Sequence, residues 1–498
     1  TVGNGSPWRG ILERSSYVCN DLDEVELSTA EAEYVDYGKT LDDRVTDRTI
    51  WAGMDSADAD ARPDHMEVFD TTNDSITATV LGRPDRDQTW ADGVIDFIPG
   101  RTGTTREGNR LADPFHASAA ILEPPLQDLP LLSYYDYKMA RENRPVVIFL
   151  ATNDGVLHAF RVQDTGDGAE QAEELWGFIP GILVDKIQRQ YPSSHDWNLD
   201  STPTVSDVRV FKDNDGDWTD EVWKSILIGG LRQGGAGYYA LDVTDPENPE
   251  YLWEIDETVA DFADLGLTYA TPFMGTAFTA SPDDVTHPIG EIAVAIFPGG
   301  VDPVDLQRST GLYVVSADTG KLIKKMDPEF PPELGCPVAA NCDSMPQCCA
   351  QLVSNPVGYG ALPGVVTTRV FVGDARGRVW RADMAAVDTD DWHLTLFYPD
   401  PDPLPDEPLP PYMTGQPVEN PIGLAMDKDG KLVVLFGTGN VDDLPGMTQN
   451  YLFSLTEEYR WDSTDNIYLG KARFNWQVTL EQGEKLIGQP IVFDEVAY

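Results

Sequence analysis

The stretch "PVVIFLATNDGVLHAFRVQ", Pro145 to Gln163, reads as a strand, a turn and a second strand. Val146 to Ala151 is an unbroken apolar run rich in β-branched and aromatic residues. Asn153, Asp154 and Gly155 are the residue types that reverse a chain tightly between two strands. "EELWGFIP", Glu173 to Pro180, supplies a third strand. The theme then returns in "TPTVSDVRVF", "KSILIGGLRQGGAGYYALDV" and "EYLWEI", and again in "GEIAVAIFPGG" and "TGLYVVSADTGKLIKKM". "RVFVGDARGRVWRADM", "HLTLFY", "KLVVLFGTGN", "NYLFSLTEE" and "EKLIGQPIVFDEVAY" carry it to the end of the chain.

The repeated unit is an apolar strand, a Gly- or Asp-rich turn, a strand bearing an aromatic, and a further strand. "DGVLHAF", "AGYYALD", "GLYVVSAD", "RGRVWRAD" and "NYLFSL" are its clearest copies. They start roughly 60–85 residues apart, longer than propeller repeats of about 40–50, so long inter-strand loops are expected. The strands lack convincing amphipathic helices between them, which argues against βαβ units. The expected class is all-β: a β-propeller of about six or seven blades over residues 111–498, favoured over a set of β-sandwiches. Residues 1–110, acidic and weakly periodic, are expected to form an irregular lead-in or a small α+β segment.

The 498 residues carry 35 Lys and Arg against 84 Asp and Glu, a formal charge of −49. Such a surface repels nucleic acid and anionic membranes, so neither is expected as a partner. The acid is spread along the chain, as on a solvated folded surface. No run of about 18 apolar residues suggests a membrane span. Thr1 is not an initiator Met, and no basic-then-apolar leader follows it; a signal peptide could have been removed, or the chain could be a piece of a longer one. Four of the five cysteines, Cys336, Cys342, Cys348 and Cys349, crowd into "CPVAANCDSMPQCC", with Cys19 far away. Their spacing is not that of a zinc site, and local disulfides in an oxidising compartment are the better reading, with the pairing open.

One acidic stretch stands out. "FKDNDGDWTDEVW", Phe211 to Trp223, places carboxylates at Asp213, Asp215, Asp217 and Glu221, with the Thr219 carbonyl available between them. A turn with carboxylates at alternate positions can wrap oxygens round one Ca²⁺, and the ion relieves their mutual repulsion. Trp218 and Lys224 stand where a helix–loop–helix calcium site needs Gly and a bidentate acid, so this is a strand-flanked hairpin site. The plainer alternative is a wet Asn-Asp-Gly turn; calcium is favoured. Asp55, Asp58, Asp60 and Asp64 are too irregularly spaced to compete, and "MDKDGKL" is a hairpin turn.

Taken in order, "TNDGVLHAF", "ELWGFIPGIL", "STPTVSDV" and "SILIGGLRQGGAGYYALDVTDPENPEYLWEI" resemble the C-terminal propeller of the PilY-type type IV pilus proteins. "VIDFIPGRTGTTREGNRLADPFHAS" resembles the segment entering that propeller, except that Pro114-Phe115 replaces the usual branched aliphatics. "VFVGDARGRVWRADM" and "GEKLIGQPIVFDEVAY" resemble its Gly-Asp…Trp-Arg strand and its closing segment. The resemblance runs from about Val94 to Tyr498. It implies a secreted or surface protein, exported through the periplasm to the pilus tip, that works with minor pilins, balances extension against retraction and binds a host or other surface. The family often carries a calcium loop before the Gly-Asp…Trp-Arg strand. Here that place reads "GYGALPGVVTTRVFVGD", without a carboxylate before Asp374. Nothing resembles the metal-ion-dependent motif of the family's N-terminal adhesive region.

Enzyme readings are weaker. Pyrroloquinoline-quinone dehydrogenases share a propeller form and calcium, and a vicinal Cys348–Cys349 pair would suit the quinone, but only the fold analogy supports that alternative. No Gly-x-Ser-x-Gly elbow occurs. The six histidines are scattered; His158 alternates with apolar neighbours and is expected to be a satisfied strand residue, and His195 a structural loop residue. The expectation is a non-enzymatic pilus-tip propeller, with a scaffold of another secreted filament as a further alternative.

Overall fold

In a computed structural model, the described residues are 9–15, 17–19, 25–27, 34–56, 63–164, 170–211, 221–280, 289–305, 308–330, 348–360, 366–400, 416–443, 445–462, 467–493 and 496–498. Among them, five sheets of four to six strands carry the fold, and the chain divides into two compact units. Strand order follows chain order in three of the sheets, the meander of a propeller blade. Four α-helices occur among the described residues: α1 (Tyr37–Asp43), α2 (Gln88–Phe97), α3 (Leu132–Ala140) and α4 (Gly181–Val184).

The first unit comprises residues 1–208 and 222–256. Its largest sheet contains the opening hairpin: Val146–Ala151 pairs with Leu157–Asp164, which pairs with Glu170–Ile179. The outer side of that sheet is extended from upstream. Ile50–Met54 runs parallel to Glu170–Ile179, with Gly177 opposite Ile50, and His65–Val68 closes the edge. The acidic lead-in thus contributes two strands to the sheet that starts the repeat. α2 begins at Asp87, whose carboxylate accepts the Trp90 N–H at 3.0 Å. It buries Ala91, Val94, Ile95 and Phe97 in the core lined by Phe149, Trp176 and Phe178.

The second unit, residues 209–221 and 257–498, shows why the strands read as continuous apolar runs. In the sheet built on Arg369–Gly373, Val379–Asp383 and His393–Tyr398, Val370, Val372, Trp380, Ala382, Leu394 and Leu396 pack with Val294 and Val314 of the preceding sheet. Their neighbours Phe371, Val379 and Phe397 point the other way and pack with Val434, Phe436 and Phe453 of the following sheet. Side chains still alternate with period two, but both faces are covered. This is stacking of blades, and it hides the apolar–polar alternation of a half-exposed sheet.

Each of the five sheets carries a register shift between its aromatic-bearing strand and the strand that pairs with it next in the chain. The shifts fall at Glu174/Trp176, Ala240/Leu241, Val314/Val315, Val379/Trp380 and Ser454/Leu455. A bulge raises local twist and bends the bulged strand. Its recurrence matches the recurring Ala- or Ser-containing strand ends of the sequence.

Candidate functional site

Strand Thr204–Phe211 leads into the acidic stretch, and strand Glu221–Gly230 leads out of it. Asp213, Asp215, Asp217 and Thr219 lie outside the described residues; Glu221 opens the returning strand. The foot of this hairpin is described in detail, and α3 holds it. Asp207 accepts from Tyr134 Oη at 3.0 Å, Tyr137 Oη at 3.3 Å and Ser225 Oγ at 2.5 Å. Arg144 Nη1 donates to Ser225 Oγ at 2.7 Å. Trp223 stands edge-on to Tyr134 with ring centroids 4.6 Å apart and donates Nε1 to Ser133 Oγ at 3.1 Å. Burial and then the Asp207 charge push both tyrosine hydroxyls up, so they stay protonated donors. The two strands flanking the acidic stretch are therefore fixed to one helix.

Buried charge networks lie elsewhere among the described residues, in both units. In the first unit Arg48 grips Glu174 through two bonds of 2.7 Å, and His158 Nδ1 is 2.7 Å from the same carboxylate. Thr152 Oγ1 is 3.0 Å from His158 Nε2 and donates to Asp154 at 2.5 Å, and Arg106 reaches Asp154 at 2.7 Å. Burial pushes the Glu174 carboxyl up, but Arg48 and His158 outweigh it and hold the group well below its ordinary range. His158 is fully enclosed, a satisfied strand residue as expected. An open cavity of about 570 Å³ lies beside this network, with Tyr37, Leu41, Arg44, Phe160, Glu173 and Glu174 in its wall.

In the second unit the Gly-Asp…Trp-Arg strand is explained by one carboxylate. Asp374 accepts the N–H groups of Arg376 and Arg378 at 2.8 and 3.0 Å and the Trp380 indole at 2.8 Å. Arg378 pairs with Asp374 and donates to the Cys349 carbonyl. Asp374 is wholly buried, so the motif is a turn lock. Cys348 and Cys349 are buried and disulfide-bonded. His195 rests edge-on against Trp197 and near Asp113 in a loop. Among the described residues no three His, Cys, Asp or Glu converge as metal ligands.

The described geometry is that of stacked blades with structural charge networks. The family model for the PilY1 beta-propeller domain matches residues 122–395, more than half the chain. The chain belongs to the PilY1 β-propeller family. Type IV pilus biogenesis factor PilY1 of Pseudomonas aeruginosa strain UCBPP-PA14 is 27% identical over 399 residues, covering 76% of this chain and 30% of that protein. A PilY1 homolog of Xylella fastidiosa is 25% identical over 311 residues, covering 62% of this chain and 20% of its own length. The chain thus spans less than a third of these relatives. The crystal structure of the Pseudomonas aeruginosa PilY1 C-terminal domain has a similar fold, with a TM-score of 0.52 at 19% identity, covering 76% of this chain and 82% of that one. The expected propeller and PilY-type resemblance are confirmed.

Within this PilY1 propeller, sequence reading missed the Arg48–Glu174–His158 network and the α3 anchor. Arg48 and Glu174 are 126 positions apart, and no local pattern links them. Tyr134 and Tyr137 carried a weak signal, an i, i+3 aromatic pair in "SYYDYKM".

Proposed function

We propose that this chain is the propeller part of a type IV pilus tip protein that supports pilus biogenesis, the balance of extension and retraction, and adhesion. The carrying observation is the PilY1 propeller match across residues 122–395, joined to relatives named as type IV pilus biogenesis factors. The protein works outside the cytoplasm, at the cell surface, in contact with minor pilins and a surface ligand. Its disulfide-bonded Cys348 and Cys349 suit an oxidising compartment. Among the described residues no helix is long and apolar enough to cross a membrane. The role is structural and adhesive, in line with relatives named as biogenesis factors. Deleting the gene in its host and counting surface pili tests this. Loss of pili restored by the wild-type gene is expected, and unchanged pilus number and twitching overturn the role.

Calcium belongs to the same reading. Asp213, Asp215, Asp217 and Glu221, with the Thr219 carbonyl, would hold one Ca²⁺ in the hairpin whose foot α3 fixes. The donor set is all oxygen, as calcium requires, and affinity of about 10⁻⁴ to 10⁻³ M suits an extracellular module. The ion would cancel clustered carboxylate repulsion. Adding Ca²⁺ should raise the melting temperature and Asp215→Ala should abolish the rise; an identical melting curve in EGTA removes the site.

A further inference from the structure

Helix α3 has two apolar faces, and the hairpin uses only one. Tyr134 and Tyr137 are buried against Trp223, with Leu129 and Leu131 packed beside them. On the opposite side Leu132, Tyr135 and Met139 follow one another at i, i+3 and i+7, the spacing of a single helical stripe. They are 85%, 58% and 47% exposed. The preceding segment runs back along the helix: Lys138 Nζ donates to the Leu126 and Gln127 carbonyls at 3.3 and 3.2 Å and to Asp128 at 2.8 Å. That holds the segment bearing the 69%-exposed Leu126 against the helix.

The charge around the stripe has one sign in excess. Glu123, Asp128, Asp136 and Glu142 are all exposed. Of the two cations in the same span, Lys138 is taken up by Asp128 and Arg141 lies over the Tyr137 ring. The whole chain, at −49, adds a field of the same sign. A contiguous apolar stripe rimmed by acid on a strongly anionic protein complements one kind of surface: an amphipathic helix with an apolar face and Lys or Arg along its flanks.

We propose that the outer face of α3, with Leu126, is a docking surface for a basic amphipathic helix of a partner protein. The apolar stripe supplies the buried contact, and the acidic rim sets orientation and speeds encounter. The stripe is framed on a rigid support, since the inner face of the same helix is clamped by Asp207, Ser225 and Trp223. This holds whether or not the acidic hairpin binds calcium.

The test uses the whole chain and a labelled synthetic Leu/Lys helical peptide of about 18 residues, with a Leu/Glu peptide of the same pattern as its counterpart. Fluorescence anisotropy is read from about 50 to about 500 mM NaCl. The Leu/Lys peptide should bind saturably and the Leu/Glu peptide should not. The paired change Leu132→Ser with Met139→Ser alters exposed side chains and adds no charge; it should weaken binding about tenfold or more. Asp136→Asn with Glu142→Gln should weaken binding at low salt and flatten its salt dependence. The control Ile487→Ser, on another exposed apolar residue, should change nothing. Equal binding to the Leu132/Met139 variant overturns the proposal, because attraction would then be generic to the acidic surface. Absence of saturable binding, or equal binding of the acidic peptide, overturns it as well.

Discussion

At the residue scale, buried charge is the main feature of the first unit. Arg48 and Glu174 are almost completely enclosed, at 2% and 1% side-chain exposure. Such a pair is close to neutral against an apolar replacement of both partners, but breaking it strands a charge. Arg48→Met should therefore cost about 3–5 kcal/mol in urea denaturation, and adding Glu174→Leu should recover much of that loss. Glu254 is a different case. Both its oxygens accept backbone N–H groups, of Gly181 and Ile182, at 2.8 Å. Burial nevertheless pushes its carboxyl up to about 8 from an ordinary 4.5, with Asp256 adding to the rise. Between those values the folded chain keeps a proton that the unfolded chain has released. Stability from this group is therefore full below about pH 4.5 and lost as pH rises through about 8. Glu254→Gln lowers absolute stability by leaving one N–H poorly matched. It should also remove a slope of up to about 1.4 kcal/mol per pH unit across that window. Denaturant midpoints of the two proteins at several pH values check this; parallel curves would contradict it.

At the element scale, one turn recurs in two settings. Asp374 and Asp427 each accept N–H groups two and four residues on, and each turn closes on a glycine with positive φ, Gly377 at 86° and Gly430 at 77°. Asp427 sits on a surface hairpin, whereas Asp374 is buried and also holds Arg378 and Trp380. Asp427→Ala should cost about 1 kcal/mol or less, and Asp374→Ala about 3 kcal/mol or more, because the second takes the carboxylate away from a buried guanidinium and the buried Trp380 indole. Melting curves of the two variants separate these outcomes. The outer hairpin Tyr451–Asp462 with Ile467–Thr479 shows the converse. Its inward face continues past the core as Tyr459, Trp461 and Tyr468, which are 54%, 52% and 65% exposed. Trp461→Ser should move the melting temperature little, since Trp461 is half exposed and stands edge-on to the exposed Tyr468.

At the scale of the whole molecule, the −49 charge dominates solution behaviour. Self-repulsion destabilises a compact anionic chain, and salt screens it. Raising NaCl from about 10 to about 500 mM should raise the melting temperature, and charge-reversed salt dependence would contradict this. Blade stacking was legible because its determinants are local. Asn-Asp-Gly and Asp-x-x-Gly turns specify hairpins, and apolar runs with recurring aromatics specify strands buried on both faces. The acidic stretch was legible only as a pattern of oxygen donors, and Asp213, Asp215, Asp217 and Thr219 lie outside the described residues. What the sequence determined by itself was this repeat, its turns and the sign of its surface. Tertiary structure alone decided that Ile50–Met54 and His65–Val68 join the first large sheet. It also decided that Arg48 finds Glu174 and that α3 clamps the foot of the hairpin while leaving Leu132, Tyr135 and Met139 outside. Each joins residues tens to more than a hundred positions apart. Their pairing is set by three-dimensional packing and by the penalty on unpaired buried charge, neither of which leaves a periodic mark in the chain.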